Sequence, residues 1–167
     1  LAPGEILVLP DVVASLFGVS DSLGSLQAAT SGSPPAPLRL VSRTYVADGG
    51  ATLGLGAVGL SSADRARGNG FVSNIAITDA FRSNIGALNL SGGDEVVTLQ
   101  LHDYSGNILG RALLPLKAGE QGQWSLPQLF PGASGDGMTA RITAPTGALL
   151  PLAYAAVTDN NSSDPTY

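Results

Sequence analysis

The side chains able to do chemistry in this chain are few, and each stands in a pattern that limits what it can do. His102 is the only histidine, and it sits beside Asp103. A Ser-His-Asp relay needs the carboxylate to orient the ring and the ring to reach a hydroxyl. Adjacent residues of a strand point to opposite faces, and neither Ser61, Ser73 nor Ser105 stands in a nucleophile-elbow pattern. The pattern predicts an exposed strand histidine. Gly54-Leu55-Gly56-Ala57-Val58-Gly59 matches G-x-G-x-x-G, with Asp79 further on. A dinucleotide site needs that loop between a strand and a crossover helix. The short polar run after Gly59 cannot supply the helix, so the reading is a flexible loop. Asp94 and Glu95 are adjacent carboxylates that alternate sides, whereas glycosidase carboxylates face each other across a cleft. Asp159, Asn161 and Asp164, with Asn160 between them, offer oxygens to Ca²⁺, but calcium takes six to eight ligands and the run supplies at most half.

Trp124 is flanked by Gln121, Gln123 and Ser125. With Tyr104, Tyr154 and Tyr167 it offers a stacking platform for a sugar, or else a half-buried core indole. These are the ligand-binding candidates, with Trp124 and Tyr104 foremost. Asn89-Leu90-Ser91 and the Asn160 to Ser163 run match the glycosylation sequon, a weak signal.

The elements that must position these residues read as strands. Val97, Leu99 and Leu101 alternate with Thr98, Gln100 and His102, which is the two-residue period of a half-buried strand. Tyr104-Ser105-Gly106-Asn107 is a turn cluster, and a second apolar strand follows, giving a hairpin with one wet face. Further strands are predicted over residues 5–9, 25–29, 38–47, 71–78, 81–90, 121–126, 138–143 and 148–158. Short helical turns are predicted at 12–17, capped by Asp11, and at 126–130. Residues 48–70 are Gly-rich and read as irregular, 31–37 as an exposed loop or linker, and 159–167 as a polar tail.

Composition narrows the function classes. Apolar residues make up 44 % of the 167 and aromatics 5 %, so aliphatic side chains must fill the core. Charged residues are 13 %, about half the roughly 25 % of an average domain. So weakly charged a surface gives little protection against self-association. The net charge is −5, Lys117 is the only lysine, and the arginines are scattered from Arg39 to Arg141. Without a basic stripe, neither nucleic acid nor an anionic membrane is an expected partner. No apolar run reaches the roughly 18 residues of a membrane span. The absence of cysteine excludes disulfides and thiolate chemistry. The chain opens at Leu1 without Met or signal peptide, which raises the expectation of a removed leader or a piece of something longer.

An internal repeat organises the rest. Leu1-Ala2-Pro3-Gly4-Glu5 matches Leu116-Lys117-Ala118-Gly119-Glu120. Each is followed by an apolar strand, a segment ending in Leu-Phe (Leu16-Phe17 and Leu129-Phe130), a Gly/Ser/Asp loop, and a strand bearing Tyr45 or Tyr154 before Asp48 or Asp159. The expected organisation is a second half of an upstream-like repeat over residues 1–33, packing with the rest or with a neighbour, and a main β-sandwich over 34–167. An orphaned half-unit would carry an apolar face and unpaired edges.

Ser42-Arg43-Thr44-Tyr45, Phe81-Arg82-Ser83-Asn84-Ile85-Gly86, the Asp103 to Asn107 turn, the Ala118-Gly119-Glu120 step and Val157-Thr158-Asp159-Asn160 resemble tandem immunoglobulin-like β-sandwich modules. Such modules occur in large secreted or surface-attached bacterial proteins. The resemblance implies an all-β, immunoglobulin-like antiparallel sandwich outside the cytoplasm, and it brings no catalytic residues. The expectation is a non-catalytic extracellular structural module that self-associates or packs on neighbouring repeats. Its assembly strands would be Glu5, Ile6, Leu7, Val8 and Leu9 with the tail residues Thr166 and Tyr167. The alternative is a polysaccharide-binding or adhesion module using Trp124 and exposed tyrosines. No cofactor is expected beyond the Ca²⁺ option.

Overall fold

A computed structural model describes residues 1–167 except 21–23, 32–36, 49–50, 146–147 and 167. It is mostly β, with 47 % strand and 8 % helix in three antiparallel sheets. The alternating pattern decides the pairing. In β5 (Glu95–His102), Val97, Leu99 and Leu101 are buried while Thr98, Gln100 and His102 are half-exposed. The Asp103–Asn107 turn returns the chain into β6 (Ile108–Leu116), antiparallel to β5 from Glu95↔Leu116 to His102↔Ile108.

Around this hairpin, β3 (Asn69–Ile77) and β8 (Gly135–Thr143) complete one sheet in the order β3-β8-β5-β6. The second sheet runs β10-β9-β4-β7, made of β4 (Phe81–Leu88), β7 (Gln121–Ser125), β9 (Leu152–Asp159) and the short β10 (Pro165–Thr166). The third is the hairpin of β1 (Val41–Asp48) and β2 (Ala51–Val58), paired from Val41↔Val58 to Asp48↔Ala51. Of the helical turns, α1 (Val12–Phe17) precedes the hairpin and α2 (Leu126–Leu129) follows β7.

One core joins the two four-stranded sheets. Ile75 and Ile77 of β3, Val97, Leu99 and Leu101 of β5, Leu114 of β6, and Met138, Ala140 and Ile142 of β8 meet Ile85 of β4. Leu126 and Phe130, brought in by α2, and Leu150 fill the same space. Removing this aliphatic surface from water is the main stabilising term, at about 25 cal/mol per Å². A buried hydroxyl ties the sheets as well: Ser83 Oγ donates to the Ala76 carbonyl at 2.8 Å and accepts from the Ala76 N–H at 3.0 Å.

Several expectations need correction. Residues 5–9 and 25–29 form no strand, because a strand needs a ladder partner and none lies beside them among the described residues. Conversely, residues 51–58 form a regular strand where an irregular segment was expected. Gly54 and Gly56 of the G-x-G-x-x-G match therefore lie in a ladder opposite Tyr45 and Arg43, not in a loop. Asp11 makes no side-chain cap to α1; its own φ is 47°, and Gly18 at φ 65° ends the helix by donating to the Ala14 carbonyl.

Candidate assembly interface

The first turn of the chain is a duplicate of one inside the sandwich. Glu5 N–H donates to the Ala2 carbonyl at 3.0 Å, and Ala2 N–H donates to Glu5 Oε2 at 2.5 Å. At the end of β6, Glu120 N–H donates to the Lys117 carbonyl at 3.0 Å, and Lys117 N–H donates to Glu120 Oε2 at 2.6 Å. Both turns need a positive φ at their third residue, 80° at Gly4 and 73° at Gly119, which glycine adopts without the Cβ penalty.

Beyond the two turns the copies diverge. After Glu120 the chain forms β7, paired with β4, and α2, whose Phe130 is only 6 % exposed. After Glu5 come Ile6, Leu7, Val8 and Leu9, all exposed, then α1, in which Val12 and Val13 are half-buried and the rest exposed. Ile6 is 86 % exposed and Phe17, the counterpart of Phe130, is 61 % exposed. None of the residues of α1 is buried. Val41 of β1 is also exposed, and β1 pairs on one side with β2 and on the other with no strand among the described residues. Residues 6–9 with Leu16 and Phe17 thus present an exposed, mainly apolar stretch that takes no part in the sandwich core.

At the opposite end, β10 lies on β9 through Pro165↔Thr158 and Thr166↔Val157. The backbone of Thr166 is therefore a strand, as an assembly strand would need, while Tyr167 lies outside the described residues. Strand β2 of the N-terminal hairpin passes beside β10.

The Ca²⁺ candidates occupy the turn between β9 and β10. Asp159 Oδ1 accepts the N–H groups of Asn161 at 2.7 Å and Ser162 at 3.0 Å. The Ser162 and Asn161 N–H groups hold the Asp159 carboxyl below the usual aspartate value. One oxygen of Asp159 is thus occupied by the turn itself, and the Asn161 side chain is exposed. Among the described residues no group of three or more His, Asp or Glu is placed to hold a metal ion.

The stacking candidates separate. Trp124 lies on the inner side of β7, its ring over Gly122 and packed against the core. Tyr104 stands 85 % exposed at the tip of the β5–β6 turn. That turn is fixed by Asp103, whose Oδ1 accepts from the Ser105 and Asn107 N–H groups at 2.9 and 2.8 Å. Its Oδ2 accepts from Asn107 Nδ2 at 2.9 Å, and the Asn107 side chain does most to lower the Asp103 carboxyl. His102 Nδ1 lies 3.2 Å from the Gly106 carbonyl, so His102 and Asp103 serve the turn separately. The Asp94 carboxylate accepts from Ala118 N–H at 3.0 Å, steadying the repeated turn.

Two arrangements lie beyond these candidates. Asn89 is fully buried. Its Nδ2 donates to the carbonyls of Gly93 at 2.9 Å and Lys117 at 3.0 Å, and its Oδ1 accepts from Ser91 N–H at 2.8 Å. Its backbone N–H donates to Glu120 O at 2.9 Å and its carbonyl accepts from Gly119 N–H at 3.1 Å. An asparagine so engaged is a brace, not a glycan acceptor. On the outer face, the Tyr154 ring covers Gly86. Its hydroxyl donates to Gln123 Oε1 at 2.9 Å and accepts from Gln121 Nε2 at 3.2 Å. Comparison with protein-family models, curated proteins and solved structures found no match.

Proposed function

We propose that this chain is a non-catalytic structural module of an extracellular or cell-surface assembly, built by packing and pairing of immunoglobulin-like sandwich units. The observation that carries the reading is the exposed, mainly apolar stretch over residues 6–17, together with a strand, β1, that is paired on one edge only among the described residues. A surface of that kind, on a chain so poor in charge, favours contact with further protein. β-Augmentation is the matching mechanism, because backbone hydrogen bonds and alternate side-chain pockets act together at a sheet edge. Two four-stranded antiparallel sheets around one aliphatic core support the immunoglobulin-like part of the reading. The resemblance of the turn and strand-edge residues supports the location outside the cytoplasm.

The test is the assembly state of the purified chain across concentration, by light scattering and negative-stain microscopy. Filaments or regular oligomers are expected. A chain that stays monomeric at high concentration, with residues 6–17 shielded from solvent, would overturn the proposal.

The alternative, a carbohydrate-binding or adhesion module, draws on one specific arrangement. Tyr154 presents a ring on the outer face of the sheet with Gln121 and Gln123 beside its hydroxyl, and flat rings flanked by amides suit sugar stacking and hydrogen bonding. Since Trp124 packs inward, this reading now rests on Tyr154. Binding to a polysaccharide panel, lost in Tyr154→Ala and retained in Trp124→Phe, is its expected signature.

A further inference from the structure

We infer that residues 1–48 are the second half of a sandwich unit, shaped to receive a first half of the β3–β6 kind carried by another unit of the same type. The inference rests on the structural-module reading above and names the partner of that surface.

The two copies agree in their turn, helical turn and last strand pair, and differ in that residues 5–9 and 25–29 form no strand where β7 and β8 stand. The turns at Ala2–Glu5 and Lys117–Glu120 share both hydrogen bonds and the glycine geometry. A helical turn follows each, α1 and α2. Strands β1 and β9 are both eight residues long and both end in Asp. Each is then followed by an antiparallel neighbour, β2 on β1 and β10 on β9. The copies differ in what lies on the remaining side. In the C-terminal copy, β4 inserts between β7 and β9, and β8 lies between β3 and β5. Asn89, just beyond β4, bonds to Lys117, Gly119 and Glu120 of the repeated turn. In the N-terminal copy, the counterparts Ala2, Gly4 and Glu5 are exposed. The edge of β1 that corresponds to the β4 side of β9 carries no strand among the described residues.

The C-terminal copy therefore states what fits the N-terminal one. The occupant supplies a β4-like strand between residues 6–9 and β1, an asparagine at its end for the Ala2–Glu5 turn, and an aliphatic sheet that covers Leu9 and Phe17. A second copy of this chain can cover the surface but cannot complete the unit. Each copy brings one first half, already paired with its own β7 to β9, and two second halves, so association of copies leaves second halves in excess.

The test adds a first half and reads where backbone amides become protected. Because Leu1 aligns with Leu116, a duplicate of residues 51–115 placed directly ahead of Leu1 keeps the natural spacing. Hydrogen exchange is followed on the original chain and on this extended protein. In the original chain, amides of 5–9 and 25–29 should exchange rapidly while 121–125 are protected. In the extended protein, 5–9 and 25–29 should slow by roughly a hundredfold or more, the behaviour of amides released only by cooperative opening. Changing the duplicated asparagine to alanine should reverse much of that gain while 121–125 stay protected. Rapid exchange at 5–9 in the extended protein, with 121–125 still protected, overturns the inference. Slow exchange at 5–9 in the original chain, at a concentration where light scattering finds it monomeric, also overturns it, since the half-unit is then covered in cis. Light scattering on the same samples reports separately on the assembly reading, so either can fail alone.

Discussion

Asn89 concentrates more of the architecture than any other polar side chain in the described residues. It joins the loop after β4 to the turn between β6 and β7 from a fully buried position. Asn89→Ala removes the side-chain hydrogen bonds to Gly93, Leu116, Lys117 and Ser91 from a fully buried position, and each such bond is worth about 0.5–1.5 kcal/mol. Loss of roughly 2–4 kcal/mol in urea unfolding is expected; a change below about 0.5 kcal/mol, the level of an ordinary surface substitution, would contradict the bracing role. In sequence Asn89 looked like a glycosylation signal, because nothing local reveals that its amide reaches residues 93 and 117. The half-exposed aspartates were easier to read. Asp103 and Asn107 stood in a recognisable turn cluster, and they form an Asx-type turn. Hydrogen bonds from Asn107 lower the folded-state value of Asp103 beneath the ordinary 3.8, so the unfolded chain binds this proton at higher pH than the folded one. The contribution is present above the unfolded value and is lost as pH falls through the lowered folded value. The carboxyl carbon shift of Asp103 should titrate below 3.8, as should that of Asp159. Titration of Asp103 at or above 3.8 would show that the turn does not hold it, and Asn107→Ala should raise it.

At the scale of elements, the strands that alternate and the hairpin of β5 and β6 could be read directly, because period-two burial is written in residues 95–102. What could not be read was pairing. Residues 5–9 have the composition of a strand yet no ladder, while residues 51–58, with glycines that argue against a strand, form one because β1 lies opposite. Partner availability outweighs propensity in both cases. Trp124 shows the alternation at work: of the two readings its sequence allowed, a stacking platform or a half-buried core indole, the structure has the second, with the indole inward and the glutamines outward. The outer face gives a test of cross-strand packing. Gly86 faces Tyr154 in the register, and a Cβ at Gly86 would overlap the ring. Gly86→Ala should cost about 1–3 kcal/mol, as overpacking typically does. Much of that cost should vanish in the background of Tyr154→Ala, giving a coupling energy of about 0.5–3 kcal/mol. Additive losses would mean that the ring is not seated there.

For the whole molecule, the described residues divide between a sandwich with an aliphatic core and an N-terminal stretch that contributes nothing to that core. Deleting residues 1–9 should therefore abolish assembly while leaving the sandwich folded, with the urea midpoint within about 0.5 kcal/mol of the intact chain. Unchanged assembly after the deletion would remove residues 5–9 from the interface. The internal repeat was the most informative whole-chain signal in the sequence, and the shared turn hydrogen bonds give it a physical basis. Whether sheets form around such a repeat depends on long-range contacts that no local pattern specifies.

The central place of β4 also sets a timetable. The β5–β6 hairpin closes over a short turn and can form early, within microseconds. Strand β4 must wait, because both its neighbours, β7 and β9, come later in the chain, and β9 begins only at Leu152. The second sheet therefore closes last, across the longest loops, and refolding should be slow for a chain of this size, in milliseconds to seconds. During that interval Ile85 and its neighbours are uncovered. The yield on refolding is then set by dilution as much as by stability, because the same waiting period exposes strand edges to other chains.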